Sequence, residues 1–444
     1  MDAVTLGLIV LAGAFGLLML RVPIAFALGV ASSVGIVVHF IIIQDMSTSE
    51  ALRPALAIVG TTPYGFINSY TLATIPLFVF MGHVAYEAGF TTDIYRAARL
   101  WMARIPGGLA MASVAGCGGF SAITGSSVAC AAAMGRIAIP EMRNAGYSAA
   151  LSTGSVAAGG TLGSLIPPSI LFILYGIFTE QSIEKLFIAG IIPGLLSLLG
   201  YMTVIVVWAR LRPGAAPTPD EKITLNMRLM SLARCWAILI IFCVVIGGIY
   251  VGVFTPSESA GVGAFATLVL GFALGRLSLK GLFSALKESA FQTSMIFAIA
   301  IGGKLFTAYM SLTSIPDAVE MFIKVNELSF VLVMVVLIFF YLMLGMFLDP
   351  IGILILTLPI TVPIIESYQL GPLSLIWFGV IVVKMLEIGL ITPPIGLNVF
   401  VIKSVAGRGI SLETIFRGIA AFLLSDMVVV ALLVAFPVLS LALL

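Results

Sequence analysis

Charge is scarce in this chain. Asp, Glu, Lys and Arg make up 9% of its 444 residues, against 61% hydrophobic residues and a mean hydropathy of +1.19. Soluble domains carry roughly 25% charged residues, so a water-soluble globular class is excluded and a polytopic membrane protein is expected. The formal net charge of +2 gives no basic field of the kind that holds nucleic acid. Cysteine and histidine are scarcer still, with four and two residues. Cys117, Cys130, Cys235 and Cys243 are scattered through apolar segments without ligand spacing, which leaves them as small buried hydrophobes. His39 and His83 stand far apart, so no metal site, haem ligation or histidine-based nucleophile is supported. With no HExxH motif and no catalytic aspartate pair either, neither a membrane-embedded enzyme nor a cofactor is expected.

What is present is a series of spanning lengths. Stretches 4–20, 23–43, 186–208, 235–251, 259–275 and 418–440 each offer about the 17 to 25 apolar residues a membrane helix needs. The first has no basic residues ahead of it and no small-residue cleavage site, and reads as a span rather than a signal peptide. Lys and Arg mark cytoplasmic segments. Arg210, Arg212, Lys222, Arg228 and Arg234 fall in the longest polar segment, read as a cytoplasmic linker over 209–234. Basic residues also flank segment 106–135 on both sides, Arg96, Arg99 and Arg104 before it and Arg136 and Arg143 after it. A stretch that begins and ends on one side predicts a re-entrant hairpin, with its tip in SAITGSS, Ser121 to Ser127.

The pattern then recurs. A second hairpin is predicted over about 330–366 with its tip at Asp349-Pro350. Diproline pairs interrupt apolar runs at Pro167-Pro168 (a broken helix over about 147–178) and at Pro393-Pro394 (about 374–404). Pro23 and Pro256 match at an offset of 233, the diproline pairs at 226. Amphipathic connectors, TTDIYRAARLWMARIP and IPDAVEMFIKVNELS, precede the two hairpins. The expected architecture is therefore all-α, with inverted-topology repeats at 1–208 and 235–444. Each repeat has five transmembrane spans, a hairpin and a discontinuous helix, with both termini periplasmic. In FTPSESAGVGAF, Glu258 reads as the partner of Thr255 in a helix-capping box. A separate interfacial helix, with Leu277, Leu282, Phe283 and Leu286 on its apolar side, is expected before a span at about 290–311.

Inverted repeats with interrupted helices build the midplane sites of secondary transporters, where freed carbonyls hold cations and half-helix amino termini face anions. Gly160, Thr161 and Gly163 around the first pair, and Gly389, Thr392, Pro393 and Asn398 around the second, suit such a lining. Asp349, costly at membrane depth, reads as a cation ligand or as a tip that reaches the interface. Lys384 and Glu387, three apart on one helical face, pair with each other or serve the substrate. Lys304 neutralises a carboxylate substrate or snorkels outward.

The segments SAITGSSVACAAAMGRIAIPEMRNAGY, GGTLGSLIPPSILFILYG, GVFTPSESAGVGAF and EIGLITPPIGLNVFVIKSVAG resemble the large membrane subunit (M, DctM-like) of tripartite ATP-independent periplasmic (TRAP) transporters, in the ion transporter superfamily. The resemblance covers essentially the whole chain. It implies an elevator-type symporter of the bacterial inner membrane that takes up a carboxylate-type solute with Na⁺ as coupling ion. Its partners would be a periplasmic substrate-binding protein (P, DctP-like) and a small four-helix membrane subunit (Q, DctQ-like) on a separate chain. By motif, Na⁺ would sit at Ser121, Thr124, Ser126 and Thr161, with Gly160, and at Asp349 and Thr392, with Pro393. Some carboxylate-transporting relatives carry an arginine where this chain reads GGKLFTAYMS. Lys304 lies near that place. A passive channel, or a self-sufficient Na⁺- or H⁺-coupled carboxylate carrier of the same superfamily, would show the same hairpins.

Overall fold

The computed structural model describes residues 2–217, 223–407 and 409–444, and among them every regular element is helical. Lys222 of the basic linker lies outside the described residues. The chain opens with α1 (Ala3–Met19), α2 (Ile24–Ile42) and α3 (Thr48–Ile67), the last leading through a tight turn into α4 (Thr74–Glu87). The amphipathic α5 (Phe90–Met102) precedes a hairpin of α6 (Gly108–Thr124) and α7 (Ser127–Asn144). An interrupted helix follows, α8 (Ala149–Gly160) and α9 (Ile170–Thr179), then α10 (Ile183–Leu211). Beyond the linker come α11 (Leu225–Arg234), α12 (Trp236–Phe242), α13 (Gly248–Tyr250), α14 (Pro256–Ala273), α15 (Leu279–Met310) and the amphipathic α16 (Ile315–Val325). A second hairpin, α17 (Phe330–Gly345) and α18 (Pro350–Ser367), leads to a second interrupted helix, α19 (Ser374–Gly389) and α20 (Leu397–Ala406). The chain ends with α21 (Leu412–Ala435) and α22 (Val438–Leu441).

Local chemistry sets these boundaries. Gly125 closes α6 with a left-handed φ of 61°, a conformation that a Cβ makes costly, and Ser126 caps α7. Thr255 and Glu258 form a reciprocal capping box at the start of α14, with Pro256 in the first turn. Helices α8 and α19 stop at Gly160 and Gly389, a few residues before proline pairs that have no N–H to continue them and whose Pro-Pro bonds are cis. The expected interfacial helix is not separate from the span that follows it. Ser278 caps one unbroken 32-residue helix, Leu279–Met310, because no proline interrupts the run. Leu277 lies just before that helix and is buried.

Among the described residues, α2, α10, α15, α18 and α21 are each long and apolar enough to cross a membrane. Two bent pairs, α3 with α4 at 55° and α11 with α12–α13 at 49°, also reach the required length. Large side chains such as Phe26, Phe265 and Phe339 point outward, 64–68% exposed. In water such a belt would be an aggregation hazard; in a bilayer it is the lipid-facing surface. Inside, α6, α8, α9 and α19 are packed almost without solvent contact, whereas α17 of the second hairpin turns a face outward; α8 meets α21 so closely that a Cβ on Gly418 would lie 2.0 Å from the Ala150 carbonyl oxygen.

Candidate functional site

In two places a hairpin end lies against an interrupted helix. At the first, the chain between α8 and α9 leaves the helix through a tight turn over Thr161–Ser164 and passes the tip of the α6–α7 hairpin. A Cβ on Gly163 would come within 2.6 Å of Ser127 Cα and 2.7 Å of the Ser126 carbonyl oxygen, so only glycine allows that approach. Gly160 packs on Ala131 in the same way, and Ile170 N–H donates to the Gly125 carbonyl at 3.3 Å. Ser126, Gly160 and Gly163 are thus brought together. Ser121 and Thr124 lie on the arm below, their hydroxyls donating one turn back to Cys117 (2.6 Å) and Phe120 (3.2 Å) carbonyls.

Thr161 faces elsewhere. Its hydroxyl bonds the Ala158 carbonyl at 2.7 Å and the Tyr201 phenol at 2.8 Å, on the α10 side. The hydroxyl that meets the hairpin across the break is Ser164, 3.0 Å from Ser127 Oγ. At the second place, Gly345 at the end of α17 touches Gly389, where a Cβ would lie 2.6 Å from Gly345 Cα. Thr392 donates to the Ile388 carbonyl at 2.7 Å, and Pro393 is exposed. Asn398 is fully buried with both amide atoms unpartnered. Asp349 is half-buried and caps α18, accepting from Ile351 N–H (3.1 Å) and Gly352 N–H (3.4 Å). The Lys304 ammonium lies 5.4 Å from the Phe178 ring centroid, a cation–π contact with the end of α9.

Between the two breaks runs a buried charged network that corrects one expectation. Lys384 does not pair with Glu387. Its ammonium lies 2.5 Å from Asp426 Oδ1, with both side chains at most 1% exposed. The reason is long-range: Asp426, in the middle of α21, is fully buried and has Lys384 as its counter-charge, while Tyr201 donates to its two oxygens at 2.7 and 2.8 Å. Glu387 instead accepts from Ser127 Oγ at 2.5 Å and keeps a bare, buried Oε1. Ser127, expected only as the end of the tip, is therefore a candidate site residue, as are Ser164, Tyr201 and Asp426, which no local pattern singles out as a group. Asp426 had a legible signal, as the only charged residue in the apolar body of its helix beyond the first two turns. Unpartnered oxygens at Glu387 and Asn398, beside carbonyls released at the breaks, are the donor type a hard monovalent cation takes.

A cavity of about 450 Å³ opens beside the first tip. Thr124 and Ser126 line it from the hairpin, His83 from α4 and Gln292 from α15. His83 Nε2 lies 3.0 Å from Gln292 Oε1, tying α4 to α15.

Several membrane-spanning apolar helices, with two hairpins set on two interrupted helices, place the protein among multi-pass membrane transporters. Residues 11–439 match the family model of the tripartite ATP-independent periplasmic transporter, DctM component, and the chain belongs to that family. It is 36% identical over 375 residues to the C4-dicarboxylate TRAP transporter large permease protein DctM of Pseudomonas aeruginosa, covering 84% of this chain and 86% of that one. It is 31% identical over 434 residues to the isethionate TRAP transporter permease protein DctMQ of Oleidesulfovibrio alaskensis, covering 96% of this chain but 65% of that protein. In fold it is similar to the Alcanivorax borkumensis YdaH transporter (TM-score 0.58, 12% identity, 87% of this chain and 90% of that one). The relatives are permeases, not enzymes.

Proposed function

We propose that this large permease subunit imports a small organic acid across the bacterial inner membrane, driven by Na⁺, after a periplasmic binding protein delivers it. The observation that carries the reading is the seating of a hairpin end on each interrupted helix, at Gly163 and at Gly389. Such breaks free backbone carbonyls at membrane depth, which is tolerated only where they line a protein-enclosed site. Na⁺ would take oxygens at the first tip and break (Ser121, Thr124, Ser126) and at the second (Asp349, Thr392); Thr161, its hydroxyl turned to Tyr201, would serve only through its main chain.

Two further features support a pair of inverted copies, the arrangement on which an elevator movement would rest. Helix contacts come in exchanged pairs: α2 with α15 and α4 with α14, α7 with α20 and α9 with α18, α8 with α21 and α10 with α19. Tyr201 and Asp426 touch across a separation of 225, close to the diproline offset of 226, as equivalent residues do where they meet on an axis relating two copies. An odd number of crossings per copy keeps both termini periplasmic. The relatives named for C4-dicarboxylate and isethionate point to small acids. Membership of the tripartite family supports a small four-helix membrane subunit as a partner of this chain.

The test is uptake into proteoliposomes of the permease with its small subunit and its ligand-loaded binding protein. Accumulation is expected only under an inward Na⁺ gradient and only with the binding protein present. Uptake that persists without that protein would favour a self-sufficient carrier. Uptake indifferent to Na⁺ and H⁺ gradients would make the protein a channel.

A further inference from the structure

The cavity beside the first hairpin carries a charge pattern that the ion sites do not use. Thr124 and Ser126 line it from the hairpin tip, and the His83–Gln292 pair from the two helices facing that tip. Three exposed charges also line it: Arg136 from α7, Glu87 at the end of α4 and Glu288 from α15. Among the described residues none of the three belongs to an ion pair. Arg136 donates only to the Tyr86 phenol, at 3.3 Å, so most of its guanidinium fork is uncommitted.

A free guanidinium is a bidentate seat for a carboxylate or sulfonate. Two free carboxylates in the same cavity act oppositely: they repel a second anionic group and attract a cation. A dianion would satisfy one of the three charges and oppose two. A zwitterion matches all three. We propose that this cavity is a solute-binding vestibule for a zwitterionic acid, its carboxylate on Arg136 and its cationic nitrogen toward Glu87 and Glu288. The assignment rests on the carrier reading above and narrows its solute class. The His83–Gln292 pair takes uncharged hydroxyl or amide groups, and the volume lies in the lower part of the roughly 300–1,000 Å³ range of small-ligand sites.

The experiment uses the full complex with Cys243, the exposed cysteine, replaced by Ala and Ala132→Cys placed in the cavity wall. The rate of maleimide alkylation is read with glycine betaine, β-alanine or succinate as protectant. The two zwitterions are expected to slow labelling several-fold and succinate to leave it unchanged. Glu87→Gln with Glu288→Gln should transfer protection to succinate, and Arg136→Ala should abolish it for every probe. Equal protection by succinate in the unaltered cavity would overturn the charge assignment; no protection by any probe would overturn the site. Thermal stabilisation of the unmodified protein by the same three compounds provides a readout independent of the cysteine variants. Na⁺-gradient uptake reports separately on the carrier reading, so its failure is not confused with either result.

Discussion

Lys384→Met is expected to remove about 3–5 kcal/mol of stability, the usual cost of leaving one partner of a buried ion pair uncompensated. The premise is the burial of both ends, Lys384 and Asp426 being at most 1% exposed and 2.5 Å apart. With the ammonium gone, Asp426 keeps the Tyr201 hydroxyl but no opposite charge, at the contact of α10, α19 and α21. The loss would appear as a lowered thermal midpoint of the solubilised complex. Asp426→Leu alone should behave likewise, and the double variant Lys384→Met/Asp426→Leu should recover most of the loss, since two apolar side chains leave no unpaired charge. A single variant that melts like the parent would show that the pair does not hold this contact together.

Asp349→Asn is expected to bring Na⁺-driven uptake to background while leaving assembly intact. The structure makes this substitution unusually clean. Asp349 caps α18 by accepting from Ile351 and Gly352 N–H groups, and asparagine caps a helix about as well, so the local fold survives and only the charge is lost. Asp349→Ala would also lose the cap, about 1 kcal/mol, and mix the two effects. Unchanged Na⁺ dependence in Asp349→Asn would remove the residue from the ion site and leave it as a cap alone.

How far these features could be read from the sequence depended on their range. The membrane class followed from composition, and the family from four long motifs in order. The capping box at Thr255 and Glu258 was legible because both partners lie within one helical turn. Lys384 shows the limit. Local spacing favours Glu387, three residues away, but the partner is Asp426, 42 residues on, brought close by the packing of α19 on α21. Thr161 offers an oxygen at the break, yet which way that oxygen points is decided by Tyr201, 40 residues away. The cavity at His83 and Gln292 joins positions 209 apart, for which a single sequence gives no signal.

The central claim is that unwound main chain and hairpin ends together bind Na⁺. The most direct measurement is the thermal midpoint of the purified complex in Na⁺, titrated against K⁺ and choline at fixed ionic strength, which requires no knowledge of the solute. A ligand that binds only the folded state stabilises by RT ln(1 + [L]/Kd), about 2.7 kcal/mol at a hundredfold excess over Kd. The account predicts a midpoint that climbs with Na⁺ alone and climbs less in Asp349→Asn. Identical midpoints in Na⁺, K⁺ and choline would contradict it.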